Sequence, residues 1–284
     1  FSVTDVAGNA ATTATGTDRS VAVDTTAATL TLQQAAGQSD PSNSSAIQFT
    51  LSSNEALDAS TVTASDFTVT NGSAVTVTGS GSSFTLTTTP SAQGAVTIAL
   101  SGTFGIADAV GNVATTAGGT DRTVTYDSVG PTLTLAQAAG QIDPTKTASV
   151  QFTLTANEAI DASTVTSADF TITNSAGPTI TCAGSTCTIT AVPSAQGPVT
   201  IALAGTFSVA DTLGNTTTVA GGSDRSVTFD SVAPTLTLQQ AIGQGDPTRN
   251  AAIAFELSAN EALDGTTITA ADFTATNGSV TAVA

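Results

Sequence analysis

The chain has 284 residues, 22 acidic against 5 basic side chains, and a formal net charge of -17 at neutral pH. That balance excludes nucleic-acid binding by counterion release and makes cations the natural partners. Histidine is absent, which leaves Ser and Cys nucleophiles without their usual base, and no apolar run is long enough to cross a bilayer, so neither an enzyme nor a membrane-inserted segment is expected.

The opening, FSVTDVAGNA, reads as the inside of a β-domain, since it lacks the basic stretch and apolar core of a secretory leader. The segment is therefore expected to be cut from a longer array. Past residue 24, period-two alternation marks strands with one buried face. They are centred on Leu30 and Leu32; Ile47, Phe49 and Leu51; Phe67 and Val69; Val75 and Val77; Phe84 and Leu86; Val96, Ile98 and Leu100; and Val124 and Tyr126. Outward positions carry Ser and Thr, as at Thr68, Thr70, Thr76 and Thr78, which are good polar strand formers.

The chain then repeats itself. Asp5, Asp108 and Asp211 open the strings DVAGN, DAVGN and DTLGN at a constant offset of 103 residues. The same offset carries Asn54-Glu55 onto Asn157-Glu158 and Asn260-Glu261, and Asp66-Phe67 onto Asp169-Phe170 and Asp272-Phe273, without insertion or deletion. Such a unit has the length of a seven-stranded immunoglobulin-like sandwich, so the expected fold class is all-β, with these sandwiches in tandem as an extended rod. Residues 1–24 would be the C-terminal end of one repeat, 25–127 and 128–230 complete repeats, and 231–284 the N-terminal part of another. The linkers VDTTAAT, YDSVGPT and FDSVAPT are short, and Pro131 and Pro234 stiffen two of them. The partial pieces lack most of their partner strands and should leave apolar surface uncovered.

Cys182 and Cys187 stand in TCAGSTCT, where a four-residue loop separates two strand ends. A hairpin disulfide is the plain reading and implies an oxidising compartment. The competing C-x4-C zinc half-site has no second Cys or His to complete it. On the chain-entropy model so small a loop yields a local staple of about 2 kcal/mol.

NEALDASTVTASDFTVTNGS, TPSAQGAVTIAL, DAVGN and VTYDSVGPT together resemble the bacterial immunoglobulin-like (Big) repeats of giant surface adhesins, and the resemblance spans the whole chain. It implies an extracellular stalk at the bacterial surface, stacked from neighbouring repeats of the same chain, carrying a distal binding domain and often calcium at its junctions. The sequence departs from the pattern at Ala28, where the other linkers carry Pro, and in confining the Cys pair to one repeat.

Tracing the strands up and down brings hard oxygen ligands to the end of each repeat that faces the preceding linker. The first group is Asp24, Asn54, Glu55, Asp58, Asp66, Asp108, Asn112 and Asp121. The second is Asp127, Asn157, Glu158, Asp169, Asp211 and Asn215, and the third is Asp230, Asn260, Glu261 and Asp272. Calcium takes roughly six to eight such oxygens, and crowded carboxylates repel unless a cation sits among them. The same residues also serve as turn formers in solvated loops, and both readings stand at this point. The Asp18-Arg19, Asp121-Arg122 and Asp224-Arg225 pairs read as solvated strand ends or local ion pairs. Asn71 and Asn277, each in Asn-Gly-Ser, fit a glycan acceptor or a turn. The expected function is a stalk or spacer. The alternatives are a subunit of an extracellular filament, sheath or surface layer joined to other copies by strand donation, and a glycan- or protein-binding module.

Overall fold

Burial along each strand follows the alternation in the sequence. Leu30, Leu32, Ile47, Phe49 and Leu51 are completely buried, while Thr31, Gln33, Gln48 and Thr50 between them face outward. The computed structural model describes residues 1–284. They divide into two units, Phe1–Pro131 with Ala210–Thr217, and Thr132–Val209 with Thr218–Ala284.

In unit 1 a five-stranded sheet runs in the order Thr76–Ser80, Ser83–Thr88, Ile47–Ser53, Leu30–Gln34, Ala117–Gly118. All pairs are antiparallel except the last, in which Leu30 aligns with Ala117 in parallel. A second, antiparallel sheet holds Thr123–Tyr126, Gly94–Leu100 and Phe67–Thr70. One core joins Leu30, Phe49, Phe84 and Leu86 of the first sheet to Phe67, Val96, Ile98 and Val124 of the second. Unit 2 holds the same plan, with Ser175–Ala183, Thr186–Pro193, Val150–Ala156, Leu133–Gln137 and Ala220–Gly221 in one sheet. Phe170–Thr173, Gly197–Leu203 and Ser226–Phe229 form the other. Helical structure is limited to single 3-10 turns such as Ala59–Thr61 and Ala64–Asp66, and no helix is long and apolar enough to cross a membrane.

The seven strands expected between residues 30 and 126 are all present, and an eighth, Ala117–Gly118, joins them. Two residues are too few to show alternation. What holds this piece is backbone proximity: Gly119 has φ +98°, and a Cβ there would lie 2.1 Å from the Leu32 carbonyl oxygen. Arg122 then donates from Nη2 to the carbonyls of Ala117 (2.8 Å) and Gly118 (2.7 Å), and Arg225 does the same to Ala220 and Gly221 in unit 2. These arginines are backbone clamps, which neither an ion pair nor a solvated strand end describes.

The outer edge of Thr123–Tyr126 is covered by the turn after the cis Asp40-Pro41 bond. Asp40 Oδ1 accepts from Thr125 N (2.8 Å), and Ser42 exchanges bonds with Thr125 O and Asp127 N. Toward the ends of the chain burial falls away. In unit 2 Leu236–Gln240 pairs only with Phe255–Ala259, leaving Leu236, Leu238 and Phe255 exposed, and in unit 1 Phe1, Val21 and Val23 are exposed.

Candidate metal centre

The Asp-x-x-Gly-Asn string folds into a loop built around its own aspartate. Asp108 Oδ1 accepts from the amides of Val110 and Asn112 (both 2.9 Å), and Oδ2 accepts from Asn112 Nδ2 (2.8 Å). Gly111 supplies the positive φ of 96° that closes the turn. Asp5 and Asp211 make the same three bonds within their own loops. Asn112 Nδ2 also reaches the linker carbonyls of Asp24 (3.3 Å) and Thr26 (3.4 Å), and Asn215 Nδ2 reaches that of Asp127 (3.1 Å).

Opposite this loop, Asn54 fixes the start of the first strand, its Oδ1 accepting from Thr29 N at 2.7 Å. A bridge between Leu57 and Asp108 draws the 54–58 loop against the 108–112 loop. The outcome is one cluster in unit 1: Asp24, Glu55 and Asp108 each place a carboxylate oxygen within 4.8 Å of the others. Burial raises the Glu55 carboxyl above its ordinary value, and the charges of Asp24 and Asp108 raise it further. At Asp108 burial also pushes upward, but the Asn112 side chain and the surrounding amides outweigh it and hold the group below its ordinary value. Three hard carboxylates at this spacing fit an oxygen-preferring divalent cation, to which they would give about three of its six to eight ligands.

Other residues expected in this group are spent elsewhere. Asp66 is buried, with Oδ2 accepting from Thr63 N and Oγ1 (2.8 and 2.7 Å) and Oδ1 from Gly105 N (2.9 Å), so it closes a capping box. Asp58 caps the preceding 3-10 turn, Ala59–Thr61, through Ser60. Asp121 lies in the short connection between Ala117–Gly118 and Thr123–Tyr126, where its carbonyl accepts from Gln34 N. In unit 2 Asn157 Oδ1 accepts from Thr132 N (2.6 Å), and Asp169 repeats the capping box on Thr166. Glu158 belongs to that unit, whereas Asp127 and Asp211 belong to unit 1. Near the end of the chain Asp230 accepts from Val232 N, Asn260 from Thr235 N and Asp272 from Thr269, while one buried oxygen of Glu261 has no partner. Asn43 was not singled out by sequence, being an ordinary loop polar residue, yet it donates to Leu213 O at 2.8 Å within unit 1. Asn71 and Asn277 both take positive φ, and Asn71 donates to Ala92 O, which suits the turn role.

Cys182 and Cys187 are joined as a disulfide. No family model and no curated protein sequence matches this chain. Among solved structures it is similar to the adhesin InvE of Yersinia pseudotuberculosis, at 16% identity and a TM-score of 0.23. The match covers 71% of this chain and 58% of the InvE chain.

Proposed function

We propose that the chain is a non-catalytic stalk or spacer segment of a bacterial surface adhesin, built from tandem immunoglobulin-like repeats of the Big type. The observation that carries this reading is that one strand order, with one register, is built twice from sequences offset by 103 residues, as when Leu51 faces Phe84 and Leu154 faces Cys187. Interchangeable units without insertions suit a part whose task is reach. The disulfide supports an extracellular setting, because such bonds persist in oxidising compartments. Calcium held by Asp24, Glu55 and Asp108 would stiffen the linker that carries Asp24; the clustered carboxylates and the raised Glu55 support it.

Thermal melts of the full chain with millimolar calcium and with EDTA test the metal, since extracellular modules bind calcium as weakly as about 10⁻⁴–10⁻³ M. A calcium-dependent rise that disappears in Glu55→Gln supports it, and superimposable curves end it. Electron microscopy tests the spacer: separate slender particles support it, and ordered lattices end it.

A further inference from the structure

The disulfide occupies a place that unit 1 fills by other means. Removing the 103-residue offset places Cys182 on Gly79 and Cys187 on Phe84. Both pairs face one another across the same hairpin, Gly79 opposite Phe84 and Cys182 opposite Cys187. Phe84 lies in the unit 1 core, facing Leu51, over a glycine where a Cβ would come within 2.8 Å of the Phe84 Cα. Cys187 lies fully buried in the unit 2 core, facing Leu154, with half-buried Cys182 packed against it. One large ring over a bare backbone has thus been exchanged for two sulfurs, one contributed by each strand.

We propose that the Cys182–Cys187 bond is a core-packing group whose reduction is gated by opening of the Ser175–Pro193 hairpin, giving unit 2 a redox site that thiol reductants reach only when the fold loosens. The geometry sets the order of events. Cys187 is fully buried and Cys182 half-buried, so a dithiol's thiolate attacks the Cys182 sulfur as the hairpin opens. Attack there forms a mixed disulfide and leaves the bond's electron pair on Cys187. The reductant's second thiol then closes its own disulfide and releases Cys182, and its two protons end on the two cysteines. In the closed fold the leaving thiolate would appear among Leu154, Ile189 and other apolar side chains, where burial raises a thiol's pKa and makes it a poor leaving group. Opening the hairpin solvates it.

Two measurements on the full chain test this. In the first, the chain is incubated with dithiothreitol in native buffer and in unfolding urea, and free thiols are trapped by alkylation and counted by mass. Reduction at least about tenfold slower in native buffer, rising in step with the opened population, is expected; equal rates overturn the gate. In the second, Cys182→Gly/Cys187→Phe rebuilds the unit 1 pair, while Cys182→Ala/Cys187→Ala leaves the space empty. The rebuilt variant should melt well above the alanine variant and ignore reductant. If the two melt together, the bond is no substitute for Phe84 and the packing role falls.

Discussion

Replacing Asp66 by Ala separates the buried cap from the acidic cluster of Asp24, Glu55 and Asp108. Asp66 is 6% exposed, and its carboxylate accepts from Thr63 N, Thr63 Oγ1 and Gly105 N, tying the Ala64–Asp66 turn to the loop that follows Gly94–Leu100. Hydrogen bonds to a charged acceptor contribute about 1.5–3 kcal/mol each, and caps about 1 kcal/mol, but local rearrangement lets water recover part of the loss. A net cost of about 2–4 kcal/mol follows. At roughly 4–8 °C per kcal/mol for a domain of about 100 residues, the unit 1 transition should fall by at least about 8 °C. Asp66→Asn should recover only part of this, because it keeps one acceptor but turns an NH2 group toward other donors. Asp58→Ala removes an exposed cap and should cost visibly less. Calorimetry gives the transitions, and hydrogen exchange at Gly105 reports the severed contact. An Asp66→Ala transition within about 2 °C of the parent would refute the assignment of Asp66 as a structural cap.

Gly119→Ala should unseat the Ala117–Gly118 strand, since the new Cβ meets the Leu32 carbonyl, whereas Gly111→Ala, with open space around it, should cost only the left-handed backbone penalty of about 1–2 kcal/mol; paired melts compare them. Arg122→Met should release the Ala117 and Gly118 carbonyls at a cost of about 1–2 kcal/mol, read as faster exchange along Leu30–Gln34. In calcium-free buffer, unit 1 should gain stability as pH falls from 7 toward 4.5. Glu55 has its folded pKa raised, so its charge opposes folding at neutral pH and protonation relieves that. Further acidification should reverse the gain, because Asp108 has its folded pKa lowered and contributes stability only while ionised, above its ordinary 3.8. Glu55→Gln should abolish the first limb of this profile in a pH series of melts and leave the second.

Strands were legible wherever side chains, rather than backbone, decide the structure. Leu30, Phe49, Phe84 and Ile98 announce their buried faces by spacing alone, and the structure buries them. Ala117–Gly118 gave no such sign, because its place depends on what glycine lacks and on carbonyls held by an arginine four and five residues downstream. The disulfide was legible from two cysteines flanking a turn. Its equivalence to Gly79 and Phe84 needed the cross-strand register, which shows that the four residues occupy one site.

The aspartates show the limit of reading by residue type. Asp24, Asp66, Asp108 and Asp121 share one chemistry and read in the sequence as one loop group, yet their fates diverge according to which donor lies within about 3 Å. A carboxylate whose oxygens are already held by amides and a hydroxyl, as at Asp66, has little left to offer a cation. Glu55 lies beside two other carboxylates, and its raised pKa records burial first and the repulsion of those neighbours second. Asp108 belongs to both classes, since its amide bonds keep it ionised while its position faces it toward Glu55. Glu55 and Asp108 are thus opposed in sign, one strained by its charge and the other requiring it. A divalent cation would relieve the first without disturbing the second, whereas a proton relieves the first only until falling pH begins to cost the second. Calcium and mild acid should therefore stabilise unit 1 by overlapping routes, so the calcium-dependent gain in melting temperature should shrink as pH approaches 4.5. A calcium gain that stays constant across that range would place the ion away from Glu55.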